Sequence, residues 1–180
     1  FSKYTNEVIE EIINEEKENE NLNNLIVIDD SIKQIKNNNK FHSVILNRRH
    51  LTQNPNEDHQ AGLSIIVMSQ KYNAADLITR VNMSDIILFR TESKKELDSI
   101  KNELMTDLSP QQQDELLKLA WKDKYSFLYI KNYEGTKDRY YVRFNKVVFE
   151  DEDKEDKEED DKIIKAHIEE EKNDDLKNKK

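Results

Sequence analysis

The sequence predicts an α/β layered fold: a mainly parallel sheet, three layers deep, followed by a β-hairpin. Three observations predict it. Short apolar runs at 25–28, 63–68 and 85–89 alternate with stretches of helical period. The runs are continuous in Leu, Ile and Val rather than alternating with polar residues, the pattern of strands buried on both faces of a parallel sheet. Beyond residue 126 the period changes to two, which marks the hairpin.

Taken in order, residues 4–18 read as an amphipathic helix, with Val8, Ile9, Ile12 and Ile13 at helical spacing among Glu and Asn. A polar connector, 18–24, leads to the run Leu25-Ile26-Val27-Ile28, which ends in Asp29-Asp30. Residues 32–49 read as helix, interrupted at Lys-Asn-Asn-Asn-Lys (36–40), and 51–61 as a polar loop holding one of two prolines. The second strand, 63–68, closes in Ser69-Gln70, and a short helix is expected over 71–80 before the third strand. Ser93 with Glu96 three residues later has the spacing of a capping box. Leu97, Ile100, Leu104 and Leu108 continue the apolar stripe of that helix. Ser109-Pro110 opens another helix, with Ser at the N-cap and Pro in the first turn. Strands at 127–130 and 139–148, joined by the loop 132–138, form the predicted hairpin.

Charge divides the 180 residues unevenly. Residues 150–180 carry 15 acids and 8 bases, net −7, while 1–149 carry 23 and 21. The reading is therefore a nearly neutral globular body, 1–149, and an acidic tail, 150–180, expected to be a solvated segment without a packed core. A weak helical patch, Ile163, Ile164, His167 and Ile168, lies within it. The chain has no cysteine, hence no disulfide framework and no thiolate metal site, and no apolar run near the roughly 20 residues that span a bilayer. His42, His50, His59 and His167 lack the spacing of a zinc site.

The chemistry-bearing segments sit at strand ends. Strand 25–28 delivers Asp29 and Asp30 at its C-terminal end, where ligands bind in open α/β sheets. Nucleotide hydrolysis needs one carboxylate for Mg²⁺ and a group to activate the attacking water, and adjacent acids supply both. The same pattern also describes any strand running into a polar turn. Gln70, at the end of the second strand, has the chemistry to orient water or touch a γ-phosphate, or to cap the following helix. Arg48-Arg49-His50 offers cations for phosphate, for DNA or for a neighbouring subunit's nucleotide, or equally for a helix C-terminus. Thr79-Arg80-Val81-Asn82 precedes the third strand.

In this order, Ile28-Asp29-Asp30, Arg48-Arg49-His50, Ser69-Gln70-Lys71-Tyr72 and Arg80-Val81-Asn82 resemble the motifs of the DNA-packaging ATPases of large DNA viruses (poxvirus-like). These form a branch of the HerA/FtsK superfamily of P-loop NTPases. The resemblance spans roughly residues 4–148. It implies a RecA-like P-loop core, Asp29 as the Mg²⁺ ligand, Asp30 as the water-activating acid and Gln70 as the γ-phosphate sensor. Arg49 or Arg80 would be a finger reaching a neighbouring subunit. It also implies ATP and Mg²⁺ as cofactors and a homo-oligomeric ring that translocates double-stranded DNA into a capsid. Its partners would be capsid components, in the host cytoplasm, virus factory or virion, with no membrane role. Two departures stand out. Arg48 occupies a position where the family has glycine. The phosphate-binding loop, which needs two glycines five apart, is missing, because the chain holds only Gly62 and Gly135. The expectation is an N-terminally incomplete core whose phosphate loop is encoded upstream, and a chain that is inactive alone. The alternatives are a non-catalytic interaction protein derived from such an ATPase, and another helicase or translocase of the superfamily.

One further cluster, Tyr125, Phe127, Tyr129, Tyr140, Tyr141 and Phe144, reads either as the core-facing side of the hairpin or as a stacking platform for nucleic acid.

Overall fold

A computed structural model describes residues 5–18, 24–51, 63–149 and 166–168. The chain is α/β and divides into two compact units, Phe1–Met83 and Ser84–Lys180.

The first unit pairs two strands in parallel, β1 (Asn24–Ile28) and β2 (Leu63–Val67), in the register Ile26↔Ile65 and Ile28↔Val67. Three helices accompany them: α1 (Asn6–Glu18), the four-residue α2 (Ile32–Ile35) and α3 (Asn39–Leu51). The polar interruption expected between helices is real. Asn37 adopts φ 56°, a left-handed conformation that asparagine tolerates, and Asn38 Oδ1 accepts the amides of Lys40 and Phe41 to start α3. Ile9 from α1, Ile35 from α2, and Phe41, Val44 and Ile45 from α3 bury one face of β1–β2 through Ile26, Ile28 and Leu63. After β2 come a 3-10 turn (Tyr72–Ala74) and α4 (Leu77–Val81), where one longer helix was expected.

The second unit is an antiparallel sheet in the order β3 (Asp85–Phe89), β4 (Phe127–Lys131), β5 (Tyr140–Val142), β6 (Asn145–Phe149), with β7 (Ala166–Ile168) on the outer edge. Helices α5 (Lys94–Leu104) and α6 (Pro110–Ala120) connect β3 to β4, and α7 (Thr136–Arg139) lies in the β4–β5 loop. Ile86, Leu88, Leu128, Ile130, Tyr140, Val142 and Val147 face a core completed by Ile100, Leu104, Leu116, Leu117 and Ala120. Trp121 Nε1 donates to Leu88 O at 3.1 Å, and the Tyr140 hydroxyl donates to the Asp107 carboxylate beside Leu104 O, tying helix ends to the sheet.

Several expectations are corrected. The third strand does not join the parallel pair; β3 runs antiparallel to β4, with Ile87 opposite Tyr129. The strands are also not buried on both faces. Leu25, Val27 and Ile66 are exposed while Ile26 and Ile28 are buried, and β3 alternates in the same way. A five-residue aliphatic run hides a period of two, because both faces are written in the same residue types. The predicted strand over 139–148 is itself a tight hairpin, β5–β6, turning at Arg143 and Phe144. In the acidic tail, 166–168 pair with β6 as a strand (Val148↔His167) instead of belonging to a helical patch. The rest of the tail, the connector 19–23 and the loop 52–62 lie outside the described residues.

The two N-caps show how local signals succeed and fail. Ser109 makes a full capping box: its side chain accepts from Gln112 N and Gln112 Oε1 accepts from Ser109 N. Ser93 caps α5 without a side-chain hydrogen bond. The buried Glu96 carboxylate instead accepts from the Thr91 hydroxyl, which in turn accepts from Ser93 N.

Candidate functional site

Parallel pairing fixes where the polar ends of β1 and β2 emerge. Ile28 lies opposite Val67, and Met68 N donates to Ile28 O at 2.8 Å, so the ladder closes one residue beyond the strands. Asp29-Asp30 and Ser69-Gln70 therefore leave the sheet at the same, C-terminal end. Gln70 Nε2 donates to Asp30 Oδ1 at 3.5 Å, across 40 positions of sequence. Asp30 adopts φ 51°, which turns the chain sharply after Asp29. Asp29, Asp30, Ser69 and Gln70 are all exposed. Ser69 Oγ accepts from Lys71 N and donates to Lys71 O, which holds the turn that carries Gln70.

A second set of residues anchors the segment behind this edge, and its long-range half was invisible in the sequence. Asp76 N-caps α4, its Oδ1 accepting from Thr79 N at 2.9 Å, while Oδ2 meets Asn37 N and His42 Nε2, each at 2.7 Å. Partial burial pushes the Asp76 carboxyl up. The amides of Asn37 and Thr79 and the ring of His42 outweigh this and hold it well below the usual carboxylate range. The clamp joins the α2–α3 break to the segment after β2. The Asp76-x-x-Thr79 spacing of the cap is legible in the sequence, but the pairing with His42 spans 34 positions and carries no local signal.

The two candidate arginines fare differently. Arg80 is half-buried; its Nη1 donates to Ala75 O and its guanidinium lies 5.2 Å from the Tyr72 ring centroid. It is engaged within its own unit. Arg49 lies in α3, and its side chain, like that of His50, is outside the described residues.

The donor set fits one half of a nucleotide site. Mg²⁺ takes one or two carboxylates and completes its shell with water and substrate phosphates, so two exposed acids at a strand end suffice. Among the described residues, no three His, Cys, Asp or Glu side chains converge into a fuller metal cage. The phosphate half is not met. Gly135 lies in the turn before α7, and among the described residues no glycine-rich loop leads from a strand into a helix. A cleft of about 430 Å³ in the second unit is lined by four cations, of which Arg90 and Lys101 pair with Glu92 and Asp114 and the others are Lys118 and Lys122. Among the described residues no helix is long and apolar enough to cross a membrane.

No family model, curated protein or solved structure matches the chain. The reading of the site therefore rests on its own residues.

Proposed function

We propose that the first unit carries the metal-binding and sensor half of an ATP-hydrolysing site, with the phosphate-binding half supplied by another segment or chain. The observation that supports this most is the parallel register of β1 and β2, which brings Asp29-Asp30 and Gln70 to one sheet end. Local propensity does not require that meeting, whereas the chemistry does, because metal, water and γ-phosphate must share one small volume. Asp29 would hold Mg²⁺, which would supply charge neutralisation at the phosphates. Asp30 accepts a proton from the attacking water, and Gln70 orients that water by its amide. With Arg80 engaged within its own unit, Arg49 is the better candidate for contact with a neighbouring subunit. The motif order further favours a RecA-like core and a ring-forming motor that translocates double-stranded DNA for packaging.

The test is paramagnetic NMR on the 180-residue chain. Mn²⁺ with ATP should broaden the amides of residues 28–31 and 69–71 selectively, at millimolar rather than micromolar affinity. Asp29→Asn should abolish the broadening. Micromolar binding of Mg-ATP, or broadening centred elsewhere, would remove the reading.

The missing glycine-rich loop favours a second reading, in which the unit is a non-catalytic partner of an intact ATPase. Under it, Mn²⁺-ATP leaves the 28–31 and 69–71 amides unchanged even when the phosphate-binding half is added.

A further inference from the structure

The hairpin aromatics divide between two faces. Tyr140 points into the core of the second unit, but Phe127, Tyr129, Tyr141 and Phe144 lie on the opposite face of the sheet, where α5 and α6 do not reach. Their rings form a continuous path: Phe127–Phe144 at 5.4 Å, Phe144–Tyr129 at 6.0 Å and Tyr129–Tyr141 at 5.4 Å between centroids. Phe89 extends it at 5.7 Å from Phe127. Phe144 is 73% exposed and Phe89 61%. The path runs over β4 and β5, the central strands of the four-stranded part of the sheet.

The segment that carries these rings is basic, with one carboxylate against them, Asp85, which accepts from Tyr129 Oη at 2.7 Å. Residues 124–149 carry six Lys or Arg against two Asp or Glu, net +4, in a protein whose net charge is −9. Lys131 Nζ lies 5.1 Å from the Tyr141 ring centroid, and Lys124 Nζ 4.8 Å from that of Tyr125. Tyr125 and Arg143 both hold left-handed backbone, φ 63° and φ 57°. They flank β4 and β5 at the same sheet end, where Arg143 N donates to Phe127 O.

We propose that this face binds single-stranded nucleic acid, with unpaired bases stacking on Tyr141, Phe144 and Phe127 and the phosphates passing Lys131 and Arg143. Exposed rings interleaved with cations suit a ligand that alternates π-faces and negative charge. A duplex keeps its bases stacked on each other, so it offers this face only its phosphates.

The experiment is fluorescence anisotropy of a labelled oligothymidine of about 20 nucleotides, titrated with the 180-residue chain at low and moderate salt, with a duplex of equal length beside it. Saturable binding that weakens with salt and prefers the single strand is expected. Tyr141→Ala and Phe144→Ala should each weaken it about 5- to 100-fold. Lys131→Ala should reduce the salt dependence by about one ion. Phe144→Trp should retain binding, and its indole fluorescence should be quenched by the oligonucleotide; this readout stands even where an alanine variant folds poorly. Three results would overturn the proposal. One is no binding at about 100 µM. Another is equal binding of the duplex with the aromatic variants unaffected, which is electrostatic adhesion only. The third is self-association lost on Phe144→Ala, which makes a second copy the occupant. The hydrolysis site rests on the first unit and is untouched by any of these outcomes.

Discussion

The two units solve the same problem, covering a sheet, in opposite ways. In the first, two parallel strands are separated in sequence by two helices and the polar stretch 52–62, and three helices cover one face. In the second, β4, β5 and β6 follow one another through short connections, and each strand reverses the last. The difference sets what each unit can do. Parallel strands end at the same edge, so residues distant in sequence meet at one point, as Asp30 and Gln70 do. Antiparallel strands put residues side by side across a face, as Phe89 and Phe127, and Tyr129 and Tyr141, are. A point site suits chemistry, and a face suits binding.

The largest expected effects test whether the units are separate. Phe41 and Tyr140 are almost completely buried, one in each core. Phe41→Ala and Tyr140→Ala should each cost about 3–5 kcal/mol. Amide exchange should show the loss confined to residues 6–51 and 63–83 in the first case and to 84–149 in the second. Loss of protection in both units from either variant would make them one cooperative body.

A smaller effect separates the units by pH. The folded-state pKa of Asp76 is depressed, so its contribution is present above its unfolded value, about 4, and is lost as pH falls toward the folded value. The second unit carries the opposite sensitivity. Burial, and then the hydrogen bond to Asp107, push the Tyr140 phenol strongly up; the hydrogen bond to Asp85, and then burial, push Tyr129 up to about 12. Raised values stabilise below the unfolded pKa, about 10, and the contribution is lost as pH rises through the folded values. Thermal melts should therefore show the first unit failing first in acid and the second first in alkali. Asp76→Ala should cost the first unit about 2–3 kcal/mol at neutral pH and flatten its acid limb.

Next come the two caps of the second unit. Ser109→Ala should cost about 1 kcal/mol, because it removes a capping box, whereas Ser93→Ala should change stability by less than about 0.5 kcal/mol. Equal losses would show that Ser93 caps α5 in solution. Smallest of all, Asp30→Asn and Gln70→Ala should leave both melting transitions within about 0.5 kcal/mol, since both side chains are exposed. A large loss from either would make the pair a structural contact and weaken the hydrolysis reading.

Much of the fold was legible in the residues. The apolar runs marked β1, β2 and β3, the Asn-rich stretch marked the break before α3, Ser109-Pro110 marked the start of α6, and period two marked β4 and the stretch that holds β5 and β6, though not the turn between those two. Of the site, the two strand ends were legible, and the resemblance named Asp29, Asp30 and Gln70. The Asp76–His42 clamp was not, because a contact across 34 positions has no local signature. Which of the hairpin aromatics face the core was not either, since alternation says that two faces exist but not which one is covered.

The sequence by itself determined element type, the polar ends of the strands and the uneven charge, because these follow from side-chain chemistry within a few residues. Tertiary structure decided strand direction and partner: β2 beside β1 in parallel, β3 turned against β4. A five-residue aliphatic strand offers the same hydrogen-bonding groups on both edges and similar side chains on both faces. Its partner is chosen by what the connecting helices can bury, and that is a property of the whole packed unit.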